Sequence, residues 1–395
     1  MALLQQQNYE TLNEVSAAKL AKKLHLFHED AELTSSEIGD GNLNLVFRVK
    51  DQLSGKSVII KQALPYAKVV GESWPLTLKR AKIEADALKL FRELAPEFVP
   101  EVYFSDETFA ITVMEDLSHL SIARTGLIQG EEYPLISKHL GKYLAKTLFL
   151  TSDFGLEPSD KKELVQKFIN PELCKITEDL VFTDPFFDSE TNSFEEELID
   201  EVKKLWSDEK VKLETALLKQ SFLTEAESLL HGDLHTGSIF ASKTETKVID
   251  PEFAFYGPAG FDLGQVIANL LFQAIANEGK QEGIFSHIRT FWKTFTDEYS
   301  SLWTNSNKEP FSKTDGYLEK VLKKYFKDMI GFAGCELIRR TIGLAHVADL
   351  DGIDDQSKRI HAKIKTLNLG KKLIVSRERI RNIDELISNI KDNLK

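Results

Sequence analysis

The hydrophobic pattern changes character near residue 120, and that change limits what this 395-residue chain can fold into. Before it, short runs rich in β-branched and aromatic residues recur between turn signals. Leu45-Val-Phe-Arg-Val49 and Val58-Ile-Ile-Lys-Gln62 flank Asp51-Gln-Leu-Ser-Gly-Lys56, which predicts an antiparallel hairpin. Val102-Tyr-Phe and Ala110-Ile-Thr-Val-Met114 read as two more strands, and 78–94 as a helix with Ile83, Ala87, Leu90 and Phe91 on one side. After residue 120, helical spacing dominates: 136–150, 194–206, 214–230, 262–276 and 327–349. An island of strand and loop interrupts these helices at 229–255. The expectation is an α+β protein, with a sheet-rich N-terminal lobe at 1–116 and a larger, mostly helical C-terminal lobe at 117–395. Glu115-Asp-Leu-Ser118 is the expected hinge.

Composition narrows the partners. Fifty lysines and arginines against 62 acids give a net charge of −12, which argues against nucleic acid or an anionic membrane as the main partner. A small anion met locally is not excluded, because surface charge is screened within about 8 Å at physiological salt. No apolar run approaches the ~18 residues of a membrane span. The first residues lack a basic segment followed by an apolar run, so a cytoplasmic location is expected. Cys174 and Cys335 lie far apart, without disulfide-framework or zinc spacing.

Four features carry chemistry. Gly39-Asp-Gly-Asn-Leu-Asn44 has two glycines that would let backbone N–H groups approach phosphate. A dinucleotide loop opens a helix, whereas this one opens a strand and hairpin, as a kinase glycine-rich flap does. Asn44 stands where a third glycine is usual and offers a side-chain donor; an ordinary turn is the plain alternative. Lys61 ends the second hairpin strand, suited to the α- and β-phosphates, and Glu84 is its candidate partner, with Glu72, Asp86 and Glu93 competing.

His231-Gly-Asp-Leu-His-Thr-Gly-Ser238 and Val248-Ile-Asp-Pro-Glu252 follow, with Asp250 seventeen residues after Asp233. Phosphoryl transfer needs a carboxylate to accept the nucleophile's proton and others to hold magnesium. Asp233 fits the first role; Asp250 fits the second, and Glu252 adds a ligand or serves a second ion. His231 is expected to orient the loop and His235 to be structural. Last, 331–346 is apolar on every side yet carries Arg339 and Arg340, charges that are costly to bury unless anions meet them. Either they stabilise a phosphate, or they form a buried salt bridge with Glu336.

Together with Tyr66-Ala-Lys-Val-Val-Gly-Glu-Ser-Trp-Pro-Leu-Thr77, Val113-Met-Glu-Asp-Leu-Ser-His119 and Glu336-Leu-Ile-Arg-Arg-Thr-Ile-Gly343, these motifs resemble the methylthioribose kinase family over most of the chain. That family lies in the wider group of choline and aminoglycoside phosphotransferases. The resemblance implies a two-lobed protein-kinase-like fold, a homodimer, and ATP- and magnesium-dependent phosphorylation of methylthioribose to its 1-phosphate in methionine salvage. It implies that Gly39, Gly41, Asn44, Lys61 and Glu84 serve ATP and that Met114, Glu115, Asp116 and Leu117 line the adenine hinge. It places Asn44, Trp74, Asp233, Arg339 and Arg340 near the sugar, with Trp74 in a covering loop. Asp250 and Glu252 are the implied metal ligands. Ser238 stands where related kinases commonly carry a metal-binding asparagine. The rivals are a choline- or aminoglycoside-type kinase, which would want acids around a cationic acceptor, an inactive pseudokinase serving as a binding module, and, more distantly, a dinucleotide-binding oxidoreductase.

Overall fold

The computed structural model describes residues 9–38, 44–67 and 71–395. Gly39 and Gly41 lie outside the described residues. Contacts group the chain into two compact units: Met1–Leu120 with Lys247–Phe253, and Ser121–Thr246 with Ala254–Lys395. The acidic segment around Asp250, expected with the C-terminal lobe, therefore belongs to the N-terminal unit.

That unit is built on an antiparallel sheet of β1 (Leu33–Glu37), β2 (Asn44–Asp51), β3 (Ser57–Ala63), β6 (Val102–Asp106) and β7 (Ile111–Glu115), in the order β1-β2-β3-β7-β6. The short strands β4 (Tyr66–Ala67) and β5 (Gly71–Pro75) pair separately. Trp74, expected in a loop, thus lies on a strand. Period-two alternation decides which face each side chain takes. Leu45, Phe47, Val49, Val58, Ile60 and Val113 pack on one face with Ala17 and Ala21 of α1 (Glu14–Lys23). Lys61 pairs across β3 with Val46 and Thr112, so the same alternation sends it to the opposite face. Asp51 tightens the β2–β3 turn, accepting from the backbone N–H groups of Leu53 (3.2 Å), Ser54 (3.1 Å) and Glu32 (3.1 Å). Helix α2 (Lys79–Leu94) carries Arg80 and Glu84, both buried.

In the helical unit, the short pairs β8 (Ser121–Ile122) with β10 (Ile239–Ala241), and β9 (Ser228–Leu230) with β12 (Phe255–Gly257), are antiparallel. β11 spans Thr246–Val248. The helices are α3 (Ala123–Gln129), α4 (Ile136–Leu150), α5 (Pro158–Lys167), α6 (Pro171–Phe182), α7 (Ile199–Trp206), α8 (Glu209–Thr224), α9 (Gly260–Ala276), α10 (Gln281–Ser306), α11 (Tyr317–Ile342), α12 (Ala348–Asp351), α13 (Gln356–Ser376) and α14 (Ile383–Leu394). Among the described residues, no helix is long and apolar enough to cross a membrane.

Three helix expectations change. The helix expected at 214–230 starts earlier, where Asp208 caps α8 by accepting from Lys210 N and Val211 N, both 3.1 Å. It stops at Thr224, because Ser228–Leu230 is taken into β9: Ser228 Oγ donates to Leu148 O (2.7 Å) and Leu229 N to Thr151 Oγ1 (3.0 Å). The helix expected at 194–206 begins only at Ile199, after a 3₁₀ turn at Glu196–Leu198. The one expected at 327–349 breaks after Ile342. There Gly343 N closes on Arg339 O (2.9 Å), and a Cβ on Gly343 would lie 2.5 Å from that carbonyl.

α9 and α11 form the centre of this unit. Every residue of 260–275 and of 328–342 is buried. Their backbones approach closely at Gly264, where a Cβ would lie 2.8 Å from Met329 O and Ala333 N. Gly334 makes the same kind of contact with α13, its Cβ position 2.7 Å from Gly370 O. Gly264→Ala should therefore lower the thermal midpoint, overpacking of a tight core costing about 1–3 kcal/mol. Gly283→Ala on α10, where a Cβ meets nothing within 4 Å, should raise it, because alanine is favoured over glycine in a helix by about 1 kcal/mol. Scanning calorimetry of the two variants beside the wild type checks both signs.

Candidate functional site

The N-terminal unit gathers one set of the expected residues. Lys61 Nζ donates to Glu84 Oε1 (2.8 Å) and to Asp250 Oδ1. Glu84, rather than Glu72, Asp86 or Glu93, is the partner on α2. Burial alone would depress the ammonium, but Asp250, Glu84 and Glu252 reverse this and hold Lys61 charged. Burial pushes the Glu84 carboxyl up, Lys61 pulls it down, and Asp250 and Glu252 push it up again, leaving it raised. Asp250 sits at φ 70°, in the left-handed region that a non-glycine residue adopts at a cost. Its carboxylate is 37% exposed, whereas that of Glu84 is 4% exposed.

Beside this pair lies a second buried group that sequence reasoning missed. Arg80, fully buried, donates through Nε to Glu252 Oε2 (2.9 Å), through Nη1 to Leu64 O (2.8 Å) and through Nη2 to Asn44 Oδ1 (2.9 Å). The Asn44 amide in turn donates to Glu252. Asn44 and Glu252, expected at the phosphates and the metal, thus have their side chains engaged with Arg80. An arginine in the first turn of a helix gives no sign in sequence that it will be buried.

These donors suit magnesium. Among the described residues, the cluster sets three carboxylates (Glu84, Asp250, Glu252) against two cations (Lys61, Arg80), one negative charge in excess when all are ionised. Magnesium commonly takes one or two carboxylates and fills its shell with water and phosphate oxygens. Among the described residues, no group of three or more His, Cys, Asp or Glu side chains is arranged to cage a metal unaided.

At the expected hinge, Met114 pairs with Ile59 and shares the face of Lys61. Glu115 N donates to Glu101 O (2.9 Å). The Asp116 carboxylate accepts from Arg48 Nε (2.6 Å), and Leu117 is buried.

The helical unit gathers the other set. The backbone of the 231–238 loop is held by a polar stripe on otherwise apolar α9. Asp262 accepts from His231 N (2.7 Å) and Gly232 N (3.1 Å). Gln265 accepts from Leu234 N (2.6 Å), and Asn269 from Thr236 N (3.3 Å). Gln273 Nε2 donates to Asp349 Oδ1 (2.6 Å). The spacing 262, 265, 269, 273 follows one helix face, a pattern already present in the sequence. Within the loop, Asp233 N donates to His231 Nδ1 (3.3 Å), the orienting role expected of His231. Ser238 N donates to His235 Nδ1 (3.1 Å), and Ser238 Oγ to the Asp233 carbonyl (3.3 Å).

Arg339 Nη2 and Arg340 Nη2 both donate to Asp233 Oδ1, at 3.0 and 3.1 Å. Both guanidiniums also bond Glu336. The salt bridge with Glu336 and the approach to Asp233 therefore coexist. Burial opposes ionisation of Asp233, but His235 and the two guanidiniums outweigh it and hold the carboxyl well below the usual range. Burial and the nearby Arg124 and Arg340, opposed by Asp233, hold His235 down at about 3. His235 is thus neutral at physiological pH, and there the arginines carry the effect on Asp233.

Residues 34–284 match the model of the phosphotransferase enzyme family. The chain is 62% identical to methylthioribose kinase from Geobacillus sp. (strain WCH70), over 96% of this chain and 95% of that one. It is 55% identical to methylthioribose kinase from Bacillus pumilus (strain SAFR-032), over 98% of each. Among solved structures it is similar to Plasmodium vivax ethanolamine kinase, with TM-score 0.49 and 15% identity over 90% of this chain and 87% of that one. By its match to the family model and its identity to these relatives, the chain belongs to the phosphotransferase enzyme family and, within it, to the methylthioribose kinases.

Proposed function

We propose that the chain transfers the γ-phosphoryl group of magnesium-bound ATP to the anomeric hydroxyl of S-methyl-5-thioribose. The products are S-methyl-5-thioribose 1-phosphate and ADP, a step of methionine salvage. The observation that carries this reading is the pair of guanidiniums on Asp233. A carboxylate within reach of a nucleophile, faced by two forked cations, suits a neutral sugar that becomes anionic. A cationic choline or aminoglycoside would meet like charge there. A homodimer, resting on the resemblance, and a cytoplasmic location, in keeping with the two unpaired cysteines, complete the reading.

In this reading Asp233 orients the hydroxyl and takes its proton. The sugar oxygen bonds to phosphorus, and the electron pair of the breaking bond leaves with ADP. Because the arginines keep Asp233 ionised and weakly basic, the proton arrives late, as the oxygen's charge passes to phosphorus. Arg339 and Arg340 then meet the growing phosphate charge. Lys61, fixed by Glu84, faces the α- and β-phosphates. Asp250 and Glu252 would hold the metal, with Ser238 as a further implied ligand. Magnesium, when bound, neutralises phosphate charge.

Purified protein should release ADP in the presence of ATP, magnesium and methylthioribose, and not with choline or an aminoglycoside; background rates with millimolar methylthioribose would remove the proposal. Asp233→Asn should lower kcat by about 10²- to 10⁴-fold, the range of general-base catalysis, while ATP binding by calorimetry persists. The pH dependence separates Asp233 from His235. A depressed carboxyl is ionised, with its ion-pair stabilisation complete, above the unfolded aspartate value of about 4. That contribution is lost only as the pH falls through the lower folded value. His235, held at about 3, stays neutral in the folded protein above pH 5, although its burial costs stability as the pH falls below the unfolded histidine value of about 6.5. His235→Gln should therefore lower kcat/KM by the same factor at pH 6, 7 and 8. A limb in the wild-type profile that disappears in the variant would make His235 the acid–base group.

A further inference from the structure

Arg339 and Arg340 are neighbours in sequence, so their side chains leave α11 about 100° apart. Two guanidiniums also repel at close range. Yet both donate to one atom, Asp233 Oδ1, at 3.0 and 3.1 Å. Glu336 reconciles these facts. It precedes Arg339 by three residues and Arg340 by four, the two spacings that meet on one helix face. Its side chain is 1% exposed. Oε2 accepts from Arg339 Nε (2.6 Å), and Oε1 accepts from Arg339 Nη2 (3.1 Å) and Arg340 Nε (2.9 Å). Held through Nε, each guanidinium presents an Nη2 to Asp233. Burial disfavours the Glu336 carboxylate, but Arg339 and Arg340 more than offset this and keep it ionised.

We infer that Glu336 is a positioning residue for phosphoryl transfer: it grips both guanidiniums from behind and aims their Nη2 atoms together at Asp233 and the group transferred there. It acts through the arginines and does not touch the substrate. The inference rests on the reading that Asp233 and the arginine pair serve this transfer. A glutamine in its place keeps the size but turns an N–H donor toward a guanidinium N–H, so one arginine loses its hold.

The test is a cycle of variants in the whole chain, read by steady-state ADP release. Glu336→Gln should lower kcat about 10- to 100-fold, approaching the loss of one aligned donor at a developing charge, with the KM for ATP changed by less than about twofold. In the background Arg339→Lys/Arg340→Lys, where no forked guanidinium remains to be aimed, the same substitution should cost less than about threefold. An equal loss in both backgrounds is what a merely structural glutamate gives, and it overturns the inference. Should Glu336→Gln not fold, Glu336→Asp keeps the charge one methylene short of the arginines; it should lower kcat with the KM for ATP unchanged, and a wild-type kcat overturns the inference. Absence of wild-type turnover on methylthioribose removes the proposed substrate instead, and the same cycle on whichever acceptor is phosphorylated still tests Glu336.

Discussion

Charge burial inside α11 organises the helical unit. Two arginines on a helix buried from Asp328 to Ile342 would be prohibitive alone. Here each is met by carboxylates on two sides, Glu336 from its own helix and Asp233 from the loop. The same contacts that make the arginines tolerable also keep Asp233 ionised, so stability and chemistry share one set of hydrogen bonds. Removing any member would strand a buried charge, which is far more costly than the pair is worth when intact.

α9 answers α11. It contributes apolar surface to the core and, along one stripe, acceptors for the backbone N–H groups of the 231–236 loop. A loop that bends sharply enough to present Asp233 needs partners for those donors. Gly232, at φ 84°, takes the left-handed turn, and Asp262 accepts its N–H. The close approach at Gly264 brings α9 against α11, which carries the arginines. Position and charge at Asp233 are thus set from two helices of the same core.

In the N-terminal unit, a sheet alternates its faces between α1 and Lys61, and α2 supplies both Glu84 and Arg80. Segment 247–253 is held there by Lys61 and Arg80, which is why Asp250 groups with residues so distant in sequence. When all are ionised, the cluster carries one carboxylate more than it has cations.

Much of this was legible beforehand. Period-two runs placed the β2–β3 hairpin, and the spacing of Ile83, Ala87 and Phe91 placed α2, because local periodicity reports which face is buried. The order of glycine loop, lysine, glutamate and two aspartates pointed to phosphoryl transfer before any fold was in hand. The end of α8 at Thr224 was not legible, since it depends on distant partners: Leu148 and Thr151 recruit β9, and a helix-like run of residues cannot announce that. Nor was it legible that Arg80 would be fully buried against Glu252, or that Glu336 would bind both arginines at once. Residue type and local spacing specify which chemistry is present and which side of each element turns inward. Which charge meets which is settled only when elements far apart in the chain pack together, because the energy of a buried ion pair depends on the geometry of both partners.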